Sequence, residues 1–257
     1  MPALLRTLLL YTAVAVVATF AAEVLAADAG CRAASGPRAP AVVELYTSEG
    51  CSSCPPADAW LSGLKGRPDV VPLAFHVDYW DSLGWKDRFA QAQFSKRQVA
   101  SQRTSGAKFP YTPQVIVDGR DTPRWSALAA ASLGGGAPAS TAAPLALALE
   151  RQGEALQLTV APQPGAKLPS TVAGYVAVVD DGLQTRVGAG ENKGATLKQD
   201  AVVRELLPWS APGTGAQTLR LSPTAPAEAG ATRHWVAVAT DAETGRPLQA
   251  VSLACAR

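Results

Sequence analysis

The chain is poor in histidine and in charge, and both shortages narrow its possible functions. Only His76 and His234 are present among 257 residues, alongside four cysteines. A structural zinc site takes four nitrogen or sulfur ligands, so zinc binding is disfavoured. Lys and Arg total 23 against 21 Asp and Glu, and the net charge of +2 includes no basic stripe or polybasic run. Neither a nucleic acid nor an anionic membrane surface is therefore an expected partner.

Long apolar runs are also scarce, and the chain has one. Residues 7–22 carry no charge, follow Arg6 and precede Glu23, with several small residues just beyond. This order predicts a secretory signal peptide over residues 1–27, and hence a periplasmic or secreted protein. The run is short for a membrane span, which takes about 20 apolar residues; an uncleaved anchor is the alternative. No membrane contact is expected after cleavage.

Four cysteines follow the predicted signal peptide: Cys31, Cys51, Cys54 and Cys255. An even number in an exported protein predicts paired thiols. Pairing Cys51 with Cys54 leaves Cys31 for Cys255, a disulfide that closes a loop across most of the chain. The alternative for Cys31 is lipidation, because the Ala and Gly before it resemble the end of a lipoprotein cleavage box.

The pattern of apolar residues changes along the chain. Residues 41–133 predict strands at 42–46, 70–77 and 114–117 and helices at 56–65, 86–103 and 125–133. Residues 134–144 have the glycine, alanine and proline content of a linker. Apolar residues in 145–257 alternate with a period of two, which predicts a β-sandwich. The predicted fold class is therefore α/β, a mixed sheet with helices on its faces, followed by a β-rich domain.

Cys51-Ser52-Ser53-Cys54 stands between the first predicted strand and the first predicted helix. A thiol at a helix start is acidified by the helix dipole, and the thiolate is the species that attacks disulfides. The motif predicts thiol–disulfide exchange, with Cys51 as the exposed nucleophile and Cys54 as the resolving thiol. Two alternatives stay open: a permanent structural disulfide, and copper binding by Cys51, Cys54 and His76.

A second motif, Thr112-Pro113, precedes the predicted strand at 114–117. Together with the Cys-x-x-Cys at a helix start, it resembles the thioredoxin superfamily, which implies a catalytic cis-proline at Pro113 that faces the dithiol. More closely, the chain resembles the secreted family catalogued as domain of unknown function 1223, through the motifs at residues 43–58, 75–81, 83–87, 111–114, 190–194 and 202–206. The resemblance implies a thioredoxin-like domain over 41–133 and export, but it carries no established reaction.

Other polar residues surround the two motifs in the predicted fold. Glu44, in the strand before the cysteines, is the predicted proton acceptor for Cys54, with a partly exposed acid at a sheet edge as the alternative. His76, Tyr79 and Trp80 follow the second strand, and ligands gather at this end of open α/β sheets. With Thr112 they are predicted to line a substrate groove; a core histidine with packed aromatics is the alternative.

These patterns predict an exported thioredoxin-like thiol–disulfide oxidoreductase that acts on protein dithiols or disulfides. It needs no cofactor and exchanges electrons with an unidentified redox partner. The main alternative is a non-catalytic secreted binding protein with a structural Cys51–Cys54 disulfide. No basic residue separates the cysteines, so the expected potential is nearer thioredoxin than the strong periplasmic oxidants. Glu191 and Asn192 are expected to hold a loop by hydrogen bonds or to contact the first domain.

Overall fold

The computed structural model describes residues 31–128, 132–133 and 142–255. The predicted signal peptide at 1–27 lies outside these residues, and so do residues 134–141 of the predicted linker. The domain boundaries at 41–133, 134–144 and 145–257 stay predictions. Of the predicted helix at 125–133, the described part includes a short 3-10 helix, Trp125–Ala127.

Strands outnumber helices in the described residues. The strands are β1 (Arg32–Ala34), β2 (Ala41–Thr47), β3 (Val70–His76), β4 (Gln114–Val117), β5 (Arg120–Asp121), β6 (Leu145–Gln152), β7 (Ala155–Pro162), β8 (Thr171–Asp181), β9 (Leu183–Arg186), β10 (Thr196–Gln199), β11 (Val202–Pro212), β12 (Gln217–Leu221), β13 (Thr232–Asp241) and β14 (Pro247–Leu253). The α-helices are α1 (Pro55–Ser62) and α2 (Ala92–Ser105), and a 3-10 helix spans Asp78–Leu83. None of these described helices combines the length and apolar content needed to cross a membrane.

The largest sheet in the described part of the chain has eight strands in the order β14-β13-β8-β11-β3-β2-β4-β5. β2 and β3 are parallel and are connected through α1, whereas β4 is antiparallel to β2. β11 runs antiparallel to β8 along its length, but it pairs with β3 only at Val202 and Ala74. This narrow junction joins early and late parts of the chain in one sheet.

The predicted fold class, an α/β thioredoxin-like domain followed by a β-sandwich-like domain, is wrong. The structure is mostly β-sheet: 43% of the residues are in strands, which form several sheets, and 15% are in helices. Strands from 41–133 and from 145–257 share the eight-stranded sheet because β11 bonds to β3 on one side and to β8 on the other. Local apolar periodicity indicates strands, but it does not indicate which distant strand completes their backbone hydrogen bonds.

The two larger apolar cores of the described residues lie against this sheet. One contains α1, through Ala57 and Leu61, packed with residues of β2 and β3. The other lies between the four-stranded sheet, ordered β1-β6-β7-β12, and the strands β8, β11, β13 and β14. Leu145, Leu147 and Leu149 of β6 are all buried in this second core, because alternate residues of a strand share a face.

α1 starts directly after Cys54, the second cysteine of the Cys51-Ser52-Ser53-Cys54 motif. Pro55 and Pro56 occupy its first positions, where a missing N–H breaks no helical hydrogen bond and the fixed φ suits a helix. α1 ends before Gly63. The sequence of residues 51–56 thus fixes Cys54 at the start of a helix.

Cys31 and Cys255 form a disulfide, here called the long-range disulfide, with Cα atoms 5.5 Å apart and 224 residues of sequence separation. It joins the residue before β1 to a residue just after β14. This is the pairing expected from the sequence, and a disulfide-bonded Cys31 has no thiol left for lipidation.

Candidate functional site

The second disulfide, Cys51–Cys54, spans the turn between β2 and α1. Backbone N–H groups of Cys51 and Cys54 donate to the carbonyls of Ser48 and Cys51, at 3.1 and 3.2 Å, and hold this turn closed. Cys54 is the N-cap residue of α1, and its carbonyl accepts from Ala57 and Asp58. The structure therefore places the two sulfur atoms at the start of a helix, as predicted.

Cys51 is not the exposed residue that the sequence predicts. Both cysteines of the motif are 0% exposed, whereas Ser52 and Ser53 between them are exposed. In this motif the two serines are therefore exposed to solvent, and the two sulfur atoms are buried. Closely packed neighbours from distant parts of the chain account for this difference.

One of these neighbours is the loop between β9 and β10, residues 187–195, which we call the covering loop. The side-chain amide of Asn192 donates to the carbonyls of Glu49 and Cys51, both at 2.9 Å. The Ser52 N–H donates to the Glu191 carboxylate at 3.0 Å. Glu191 and Asn192 thus contact the turn that carries the cysteines, which was one of the two arrangements expected for them.

A cluster of buried ionisable side chains lies close to the motif. Glu49, Asp58, His76 and Asp87 are each at most 8% exposed. His76 Nδ1 lies 2.6 Å from Asp87 Oδ2, and the Glu49 N–H donates to the same carboxylate oxygen at 2.8 Å. Asp58 lies four residues after Cys54 in sequence, so the two share one side of α1. This shared side brings a buried carboxyl group next to the Cys51–Cys54 disulfide.

Burial and mutual charge shift the pKa values of Asp58, His76 and Asp87. Burial raises the pKa of Asp58 to about 6, although the nearby His76 acts in the opposite direction. Burial alone would lower the pKa of His76, but the Asp87 carboxylate outweighs it and raises that pKa. The pKa of Asp87 is lowered because its pairing with His76 and its hydrogen bonds outweigh its own burial.

His76 lies beneath the site rather than on its surface. It is 1% exposed and bonded to Asp87, so its ring does not form the lining of an open groove. His76 is therefore a core histidine, which was the alternative to a groove-lining residue in the sequence analysis. Asp58 and Asp87 were not singled out from the sequence, although the four-residue spacing from Cys54 to Asp58 was a visible signal.

Glu44, the predicted proton acceptor for Cys54, belongs to a different cluster. Its carboxylate accepts from Arg97 at 2.5 Å and from Tyr175 at 2.9 Å. The Tyr46 hydroxyl donates to its other oxygen at 3.3 Å. The structure ties Glu44 to α2 and leaves Asp58 as a buried carboxyl on the helix of Cys54.

Three of the predicted contact residues lie together beside the motif. The Trp80 indole N–H donates to the Thr112 hydroxyl at 2.8 Å, and the Thr112–Pro113 peptide bond is cis. Trp80 also packs against Gly50, the residue before Cys51, where an added Cβ would lie 3.4 Å from the Trp80 Cβ. Tyr79 is 41% exposed and supplies an accessible aromatic surface on the same 3-10 helix.

The described residues contain no group of three or more His, Cys, Asp or Glu side chains arranged to hold a metal ion. Cys51 and Cys54 bond to each other in this structure. The site as described is thus a disulfide with polar and aromatic neighbours.

The family described as Protein of unknown function (DUF1223) matches residues 42–240, and the chain belongs to this family. The predicted family is therefore confirmed. No curated protein matches the chain.

Two solved structures are similar to this chain. One is a Northeast Structural Genomics Consortium target from Agrobacterium tumefaciens, 25% identical, with a TM-score of 0.64, covering 85% of this chain and 96% of that one. The other is HBP35 of Porphyromonas gingivalis, 15% identical, with a TM-score of 0.59, covering 85% of this chain and 76% of that one. The second likeness concerns the fold alone.

Proposed function

We propose that this protein is an exported thiol–disulfide oxidoreductase that acts on protein dithiols or disulfides through Cys51 and Cys54. The observation that carries the proposal is the division of the four cysteines into two pairs. The long-range disulfide links two segments that are distant in sequence, whereas Cys51–Cys54 closes a short ring at the start of α1. A short ring of this kind can open and close without separating distant parts of the fold.

The reaction is a two-step exchange. With the pair reduced, the Cys51 thiolate attacks a substrate disulfide; one sulfur–sulfur bond forms and one breaks, and a substrate thiolate leaves and takes a proton. Cys54, as a thiolate, then attacks the Cys51 sulfur, which restores the Cys51–Cys54 disulfide and releases the second substrate thiolate. The substrate gains two electrons and the protein loses two. A partner dithiol returns them in a reductase cycle, and the reverse direction oxidises a substrate dithiol.

The buried carboxyl group of Asp58 supports this chemistry. Deprotonation of Cys54 inside the protein requires a nearby group that takes a proton near neutral pH. Asp58 shares a side of α1 with Cys54, and its pKa of about 6 suits that task. In this proposal Asp58, and not Glu44, accepts the proton from Cys54.

Tyr79, Trp80 and Thr112 are the proposed contact surface for a protein substrate. Tyr79 is accessible, and Trp80 lies between Gly50 and Thr112. Aromatic side chains present large apolar area with few rotatable bonds, which favours contact with an extended chain. Export is part of the proposal because long-lived disulfides form in oxidising compartments, and a predicted signal peptide precedes the cysteines.

A second function, a secreted binding protein with a structural Cys51–Cys54 disulfide, is favoured by one observation. Cys51 is 0% exposed in the disulfide form, so no partner sulfur reaches it without a local movement. The two functions differ in whether the reduced pair reacts with protein disulfides.

Insulin reduction and covalent trapping distinguish the oxidoreductase from the binding protein. We expect the protein to catalyse dithiothreitol-driven insulin reduction, Cys51→Ser to abolish catalysis, and Cys54→Ala to accumulate mixed disulfides in the cell envelope. The control for trapping is the double variant Cys51→Ala/Cys54→Ala, which has neither thiol. Absence of both reductase activity and adducts would favour the binding protein.

A further inference from the structure

We propose that the covering loop, residues 187–195, is a gate over the Cys51–Cys54 disulfide and that Asn192 is its latch. The inference rests on the proposed thiol–disulfide exchange for its role in catalysis. In the closed position the loop bonds to the turn that carries Cys51. In the open position Cys51 becomes accessible to a substrate sulfur.

The closed position depends on backbone groups at the motif. A single amide nitrogen, Nδ2 of Asn192, bridges the carbonyls of Glu49 and Cys51 and so spans Gly50. The Glu191 carboxylate accepts the N–H of Ser52, the next residue along. The loop thereby occupies three backbone groups immediately around Cys51.

A fitted surface holds the loop in that position. The Trp85 indole N–H donates to the buried Glu49 carboxylate at 2.8 Å, which fixes the ring. Gly188 and Gly190 of the loop lie on Trp85, where an added Cβ would come within 3.2 and 3.1 Å of its side-chain atoms. Gly190 also has a φ of 71°, which favours glycine. Glycine at both positions lets the loop backbone approach the indole closely.

The gate can move without disturbing the main sheets. β9 and β10 form a two-stranded sheet of their own, hydrogen-bonded to neither of the larger sheets in the described residues. Opening the loop breaks side-chain hydrogen bonds and leaves the strand ladders of the larger sheets intact. Segments with few such bonds open at lower free energy than core strands.

The bonded groups also indicate what would compete with the loop. Backbone carbonyls and an N–H are the groups through which an extended peptide pairs with a protein. An extended substrate segment next to a cysteine can therefore replace the bonds made by Glu191 and Asn192. Closure also keeps the Glu191 carboxylate beside Cys51, where a second negative charge disfavours a thiolate. The gate thus restrains the pair until an extended chain displaces the loop.

The test measures how fast a small phosphine reduces the oxidised full chain. Tris(2-carboxyethyl)phosphine gives two electrons to the Cys51–Cys54 disulfide, which takes two protons and becomes two thiols, while the phosphine takes oxygen from water to become its oxide. We expect Asn192→Ala to raise this rate about tenfold, equivalent to about 1.4 kcal/mol at 25 °C. The matched control is Lys193→Ala, because Lys193 is an exposed neighbour in the same loop, and its rate should stay within about twofold of the parent. An unchanged rate in Asn192→Ala overturns the gate.

A second variant keeps the test decisive if Asn192→Ala folds poorly. Glu191→Gln keeps the size of an exposed side chain and removes its charge, and it should also speed reduction. Equal rates for Glu191→Gln and the parent, with Asn192→Ala misfolded, count against the gate. Insulin reduction is measured in parallel, since faster phosphine reduction without insulin activity supports the gate and refutes the proposed catalysis.

Discussion

Replacing Asp58 with asparagine should stabilise the protein at neutral pH and leave its stability nearly unchanged in acid. Asp58 is 8% exposed, and burial raises its pKa from 3.8 to about 6. A buried carboxyl with a raised pKa favours folding in its protonated form, because the ionised form is poorly solvated inside the protein. Asparagine has similar size and never ionises.

The magnitude follows from linkage between proton binding and folding. Between pH 3.8 and about 6 the folded chain binds more protons at Asp58 than the unfolded chain does, so the free energy of unfolding falls as pH rises. The stability linked to the protonated form is fully present below pH 3.8 and is lost as pH rises through about 6. At about 1.4 kcal/mol for each pKa unit, the loss amounts to about 3 kcal/mol.

Urea unfolding of the oxidised parent and of Asp58→Asn between pH 3 and pH 8 measures this difference. The neighbours His76 and Asp87 are present in both proteins, so the difference between the two reports on the Asp58 carboxyl and its interactions with them. Glu154→Gln serves as control because the Glu154 side chain is 97% exposed. The reasoning is refuted if the stability difference between Asp58→Asn and the parent is the same at pH 3.5 and pH 7.5.

Three further outcomes are expected. Arg97→Met removes the partner of the buried Glu44 carboxylate and should cost about 3 kcal/mol in urea unfolding; a loss below about 1 kcal/mol would match an exposed pair instead. Serine at both cysteines of the long-range disulfide should cost about 5 kcal/mol, given a loop of 224 residues, and a thermal midpoint equal to that of the parent would contradict this entropy argument. Equilibration of the Cys51–Cys54 disulfide with glutathione or dithiothreitol should give a potential nearer roughly −270 mV than about −120 mV, because no basic residue separates its cysteines and the Glu191 and Asp58 carboxyl groups lie close to them. A value at the oxidising end would contradict that assignment.

Local sequence signals predicted much of the early part of the chain. The strand expected at 114–117 is β4, and the Asp118-Gly119 turn after it has φ values of 48° and 78°, as its residue types favour. The helix expected at 86–103 begins later, at Ala92, since the Asp87 carboxylate accepts the N–H groups of Glu49 and Phe89 and holds the preceding residues in a loop. The hydrogen bonds accepted by Asp87 therefore outweigh the helix propensity of the residues before Ala92.

Long-range pairing was the part that the sequence did not indicate. β11 contains Pro208 and ends at Pro212, and proline is unusual in an interior strand. The strand tolerates both because it bonds to β3 only near Val202, so its later residues have a partner on one side. The contact of Asn192 with the turn at Cys51 is equally non-local, as 141 residues separate them. Neither apolar periodicity nor motif spacing indicates which distant residues pair in the fold.

The long-range disulfide also changes how this protein would respond to a protease. Because it links Cys31 to Cys255, a single backbone cut anywhere between them produces two pieces that stay covalently joined. Such a nicked chain would migrate near its full mass without reductant and would separate into two fragments only after reduction. Cleavage at an exposed loop would thus open the backbone without releasing either piece.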